Sequence, residues 1–232
     1  MKRYVKKGGL TLEYTLICSV NRKNVLLQAL PEGKVRVYAP KSARLKEMDA
    51  LVLSRLDWIK EMHRSLALEE KKNAFDPKNG VLIEGKKTSI QIERGVKKGC
   101  RIENGVLYVT APSDDPALIK EEIQKYLSRL ALFRIREALD KYAPTVGCEY
   151  GRVTIREQKT RWGSCSSKKN LNFNWKLILA PREALEYVVI HELCHLIHFN
   201  HSERFWKEVE SRMSEYDLWR KWLRAHGKEL SL

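Results

Sequence analysis

The chain has 232 residues, 43% of them hydrophobic, and a formal net charge of +15, which excludes a disordered chain and permits one large domain or two small ones with a true core. No apolar run approaches the roughly 18 residues of a membrane span, and the basic opening "MKRYVKKGG" is not followed by an apolar stretch of signal-peptide length, so no membrane partner and a cytoplasmic location are expected. Five scattered cysteines with no CxxC pair argue against a disulfide framework and against a Cys-rich structural zinc site.

The positive charge is enough to attract nucleic acid, an anionic surface or acidic proteins. It is spread in short clusters such as "VNRKN" and "GVKKG", as on a solvated Lys-rich surface. Nucleic acid is therefore a possible partner rather than one the charge demands.

In chain order, "LTLEYTLICSV", "NVLLQAL" and "VRVYAP" alternate apolar and polar residues and predict strands, with "PEGK" as a hairpin turn. A helix follows from about Ser42 to Leu68, then a polar connector, "EEKKNAFDPKNG". Strands resume in "VLIEGKKTSIQIERG" and "CRIENGVLYVTAP", where "ENG" signals a turn. A long helix runs from about Asp115 to Tyr142, opened by acidic residues and a proline and broken by "PTVGCEYGRV".

"VRVYAPKSA" and "LYVTAPSDD" both close a strand on Ala-Pro and lead into a helix. They raise the expectation of a repeated hairpin-plus-helix unit, although proline suits a strand end or a helix start without any repeat. "RVTIREQ" and "LNFNWKLIL" read as further strands around a loop, "KTRWGSCSSKKN". The last third is helical: about Arg182 to Phe199, Ser202 to Met213 and Tyr216 to Ala225.

Four of the six histidines fall in "VVIHELCHLIHFNHSERFW", Val188 to Trp206. The helix after Pro181 is apolar on most faces, which predicts burial, and unpaired polar groups inside it would be costly. His191 and His195 are four apart, about 40° round one face, so both imidazoles can reach one metal ion. With Glu192 beside them they form H-E-x-x-H, in which two histidines bind zinc and the glutamate handles a water.

A catalytic zinc takes a third protein ligand and keeps one position open. His201 is the expected third, because "FN" can end the helix and turn the chain back. His198 lies in line with the first two but too far along, and reads as a residue supporting a ligand, an entrance residue or simply a polar residue near the helix end; Glu203 or Glu208 is the carboxylate alternative. Phe205, Trp206, Tyr216, Trp219 and Trp222 are expected to pack in the core.

With "RWGSCSS", "LNFNWKLILAP", "YVVIHELCHL" and "NHSERFW" in this order, the sequence resembles the YgjP-like (DUF45) metallopeptidase family, within the zincin group and related to SprT-like proteases. The resemblance is strongest from Arg161 to Trp206. It implies one zinc ion (Zn2+) on His191, His195 and His201, and Glu192 as general base. The interval from His195 to His201 is also that of metzincins, but His198 stands where those enzymes carry glycine.

"RWGSC" alone reads as a tight loop, with Trp162 packing and Gly163 turning. The resemblance puts it on the border of the cleft, with Arg161, Trp162, Gly163 and His198 as substrate-binding candidates; Arg161 would hold a substrate carboxylate or an oxyanion.

The expectation is thus an α+β protein: a strand-rich N-terminal portion with one long helix, residues 1–112, and a zincin-like helical portion, residues 113–232. Its expected activity is zinc-dependent hydrolysis of peptide bonds in a peptide or protein substrate. The alternatives are a metal-dependent hydrolase of another amide or ester, and a DNA-associated protease or binding protein.

Overall fold

The computed structural model describes residues 1–72, 75–158 and 160–232. Part of the expected connector, residues 73 and 74, and Lys159 at the head of the "KTRWGSCSSKKN" loop lie outside the described residues. The chain divides into two compact units, residues 1–74 and 75–232. The sequence boundary at 112/113 marks a change from strand to helix; the packing boundary falls earlier and groups the second strand set with the C-terminal helices.

The first unit holds β1 (Lys2–Lys7), β2 (Leu10–Ser19), β3 (Leu26–Ala29) and β4 (Val35–Pro40) in one sheet of order β1-β2-β4-β3. β2 and β4 run parallel and the outer pairs antiparallel. Alternate residues of β4 (Val35, Val37 and Ala39) are buried with Tyr14 and Leu16 of β2, the period-2 pattern of a half-buried strand. Met48 and Val52 of α1 (Leu45–Ser54) and Ile59 of α2 (Leu56–Lys72) complete this core.

The single helix expected over 42–68 breaks at Arg55. Its N–H closes α1 onto Leu51 and Val52, while its carbonyl accepts from Ile59 and opens α2. β1 was not expected, because only Val5 of its six residues is buried. Its register comes from Gly8 and Gly9, both left-handed at φ 56° and 80°, which supply a tight hairpin to β2.

In the second unit β5 (Val81–Ile83), β6 (Lys86–Arg94), β7 (Gly99–Glu103) and β8 (Val106–Ala111) form a sheet of order β5-β6-β8-β7, with β6 and β8 parallel. This is the topology of the first sheet. Ala39-Pro40 closes β4, and Ala111 closes β8 just before Pro112. The Ala-Pro echo thus marks matching places in two sheets of one design. In the "ENG" turn Asn104 and Gly105 are both left-handed.

α3 (Pro116–Val146) starts with the Asp115 side chain accepting from the Ala117 N–H at 3.1 Å. It runs past the expected end. Pro144 forfeits only the bond to Asp140, an exposed residue one turn from the terminus, and Gly147, at φ 68°, stops the helix. Ile119, Ile123, Leu127, Ala131, Ile135 and Leu139 are all fully buried. A strict step of four drifts about 40° per residue pair, so the buried stripe winds around the helix and serves both the sheet and the histidine helix.

A small sheet of order β10-β11-β9 follows, built from β9 (Val153–Arg156), β10 (Gly163–Cys165) and β11 (Leu171–Asn174). The expected strand "LNFNWKLIL" keeps strand form only to Asn174. There the side chain accepts from the Lys176 N–H at 3.2 Å and starts a 3-10 turn over Trp175–Leu179. α4 (Arg182–Cys194), α5 (Glu203–Glu210) and α6 (Tyr216–His226) complete the unit. No helix among the described residues is long and apolar enough to cross a membrane.

Candidate metal centre and active site

α4 is buried on nearly every face, through Leu185, Val188, Val189, Ile190, Leu193 and Cys194. It ends at Cys194, well short of the expected Phe199. The reason is local. The N–H groups of Leu196, Ile197 and His198 fold back onto the carbonyls of Leu193 and Cys194 at 2.9–3.1 Å, and the His195 ring bonds the carbonyl of His198 at 2.9 Å through Nδ1. No residue from 195 to 201 is left-handed, so the bend needs no glycine.

The turn brings Nε2 of His201 to 3.0 Å from Nε2 of His191, with Nε2 of His195 at 3.2 Å. Ligand atoms of all three residues lie within 4.8 Å of one another. His198 is not in this cluster; it contributes its carbonyl to the turn. Glu203 faces Lys207 at 2.7 Å and Glu208 pairs with Arg212 on α5 and just beyond it, so both carboxylates are engaged elsewhere.

Aromatic rings hold the imidazoles. Phe205 is fully buried, its centroid 4.9, 4.7 and 4.8 Å from those of His191, His195 and His201. Trp206 stacks on His201 at 5.5 Å. The expected core role of both residues is therefore met, and the surface they pack is the histidine cluster itself. The Tyr187 hydroxyl stands 3.5 Å from Nδ1 of His191.

A carbonyl only accepts, so the bond to His198 puts a proton on Nδ1 of His195 and turns Nε2 toward the other two rings. Burial first, then His195, His201 and Arg220, push the His191 pKa down to about 3. Burial, His195 and Arg220 also lower that of His201. Crowded imidazole nitrogens, with protonation disfavoured at His191 and His201, fit a divalent cation. The two spacings to His191, 3.0 and 3.2 Å, are close to the roughly 3.3 Å edge of a tetrahedron with ~2.0–2.1 Å zinc–nitrogen bonds.

Glu192 lies beside them, 5% exposed. Its Oε2 is buried with no hydrogen-bond partner among the described residues. Burial pushes its pKa up to about 8, against smaller opposing pulls from the Cys165 backbone and the Arg161 charge. Gly163 of β10 is held to glycine by this carboxylate: a Cβ there would sit 2.7 Å from Oε1 and Cγ of Glu192. Trp162 packs against the end of α6, where a Cβ on Gly227 would meet its ring at 2.7 Å. The Asn174 amide ties the loop before β10 by donating to the carbonyls of Gln158 at 2.8 Å and Arg161 at 3.3 Å.

The raised carboxylate has a measurable consequence. A group whose folded pKa lies above its unfolded value lends stability that is complete below about pH 4.5 and is lost as pH rises through about 8. In the metal-free protein this amounts to on the order of 3 kcal/mol by pH 7. Metal-free Glu192→Gln is therefore expected to gain thermal stability over the wild type as pH rises from 5 to 8. The opposite trend from His191, which is lost on acidification, is common to both proteins and cancels in the difference. A gap independent of pH, measured by calorimetry, would contradict the assignment of the burial penalty to Glu192.

A cavity of about 320 Å³ opens beside the cluster, lined by His191, Glu192, Gly163, Arg161 and Trp162, and also by Tyr187, Arg220 and Arg224. None of the last three was expected at this site from sequence. Tyr187 carried a usable signal, sitting one helical turn before His191; the arginines arrive only through the packing of α6 on α4.

A family model described as "YgjP-like, metallopeptidase domain" matches residues 23–226. Among solved structures, the metallopeptidase zymogen abylysin of Pyrococcus abyssi is 28% identical over 33% of this chain and 76% of its own, with a TM-score of 0.31. The metallopeptidase zymogen jannalysin of Methanocaldococcus jannaschii is 23% identical over 39% of this chain and 94% of its own, with a TM-score of 0.36. No curated protein matches the chain. A family match that runs through both compact units and takes in the whole histidine cluster places the protein: it belongs to the YgjP-like family of metallopeptidases.

Proposed function

We propose that the protein is a zinc-dependent peptidase in which His191, His195 and His201 hold one zinc ion and Glu192 is the general base. The observation that carries this reading is the convergence of three imidazole nitrogens next to a buried carboxylate oxygen that has no partner among the described residues. Zinc, when bound, supplies acidification of a water and polarisation of a carbonyl.

The chain's own residues do the rest. Glu192 takes a proton from the attacking water and delivers it to the leaving amine. Gly163 leaves the room its carboxylate needs. Tyr187 and the His198 carbonyl hold the outer nitrogens of His191 and His195, which orients their Nε2 atoms. β10 is an edge strand of its sheet beside the cavity, so its free edge can pair with an extended peptide.

Treatment with a chelator such as 1,10-phenanthroline is expected to abolish cleavage of a peptide mixture, and one equivalent of zinc to restore it. Cleavage that persists after the metal has been removed, as verified by elemental analysis, would overturn the proposal.

A further inference from the structure

The cavity beside the histidines is basic beyond what the fold needs. Arg161 enters it from the loop before β10, and Arg220 and Arg224 from α6, where a spacing of four puts both on one face. Glu192 is the one acidic residue lining it among the described residues. Arg161 and Arg224 form no ion pair among the described residues, and Arg220 has only Asp217 at 3.7 Å, its guanidinium lying over the Trp206 ring at 4.6 Å.

Arg161 and Arg224 also line an adjoining cavity of about 500 Å³ that continues to Lys176 and Lys228. The one carboxylate there, Glu157, is already taken by Lys176 at 3.0 Å.

Guanidiniums gathered without internal partners repel one another, and their planar forks match a carboxylate. We propose that this cavity is the specificity subsite of the enzyme. It selects a peptide carboxylate close to the scissile bond, either an Asp or Glu side chain or the terminal carboxylate of the substrate, through Arg161, Arg220 and Arg224. This rests on the peptidase reading above. The Glu192 carboxylate in the cavity wall disfavours threading a chain of several phosphates past it, whereas a single carboxylate can be held at the arginines alone.

The test uses labelled peptides that differ only in Glu, Gln or Lys at one position, each with a free or an amidated C-terminus. Binding to the full-length, zinc-loaded Glu192→Gln protein is read by fluorescence anisotropy, and cleavage by the wild type is followed in parallel. The Glu peptide is expected to bind about tenfold or more tightly than the Gln peptide, the effect of a charge-assisted pair. If the free C-terminus carries the preference instead, the carboxylate comes from the chain end.

Arg224→Gln, which leaves the Trp206 stack alone, should shrink the preference to within about threefold, and Arg224→Glu should turn it toward Lys. Equal binding of Glu, Gln, free-acid and amidated peptides would overturn the proposal. So would a preference unchanged in both Arg224 variants, or binding of a single-stranded oligonucleotide without carboxylate discrimination. Carboxylate-dependent binding with no cleavage by the wild type would uphold the subsite and overturn the peptidase reading.

Discussion

Glu192→Gln is expected to keep its metal and to lose peptide cleavage by about 10²–10⁴-fold in kcat/KM, the usual contribution of a positioned general base. Glutamine has the shape of glutamate, so it still fits against Gly163, where the carboxylate leaves no room for even a methyl group. It cannot take up a proton from water at neutral pH. The residue contributes none of the three ring nitrogens that converge at the site, so metal content should stay at one equivalent. Because it sits 5% exposed with an oxygen that has no partner among the described residues, loss of its charge should not destabilise the core. Activity equal to the wild type, at equal metal content, would reject the general-base assignment.

His191→Ala is expected to lower metal affinity by at least about 10²-fold and to abolish cleavage. Structural zinc sites contribute roughly 10–16 kcal/mol shared among four ligands, so one ligand carries on the order of 3 kcal/mol. His191 is the central ring: its Nε2 lies 3.0 Å and 3.2 Å from those of the other two, and its ring packs on Phe205. The readout is elemental analysis together with the thermal shift on adding zinc, which should vanish. His198→Ala provides the contrast. Only its backbone carbonyl supports the site, so that variant should still bind zinc and be stabilised by it. Stoichiometric zinc in His191→Ala, or loss of zinc in His198→Ala, would reject the ligand set.

How much of this was legible in the sequence follows from how local each feature is. The face shared by His191 and His195, with Glu192 beside it, depends on helical periodicity alone, and an all-round apolar helix announces its own burial. The return of His201 depends on a turn that carries no glycine or proline signal. It is made by backbone bonds onto Leu193 and Cys194 and by one ring-to-carbonyl bond, so the helix end was overestimated by five residues.

β1 was hidden because its outward residues are nearly all charged or polar and its partner strand fixes it. The break at Arg55 was hidden because the apolar spacing continues across it. Ala39-Pro40 and Ala111-Pro112 did carry a real signal, since they end equivalent strands of two sheets with the same order. Arg220 and Arg224 could not be placed at the site by any local pattern, because their position depends on how α6 packs against α4.

Crystallography of the zinc-loaded wild type, with anomalous scattering recorded at the zinc edge, addresses the metal centre directly. The expected result is one ion bound by ring nitrogens of His191, His195 and His201, with Glu192 beside it but not bonded to it and no fourth protein ligand. A zinc peak elsewhere in the chain, or a fourth side chain closing the coordination sphere, would contradict the catalytic metal centre proposed here.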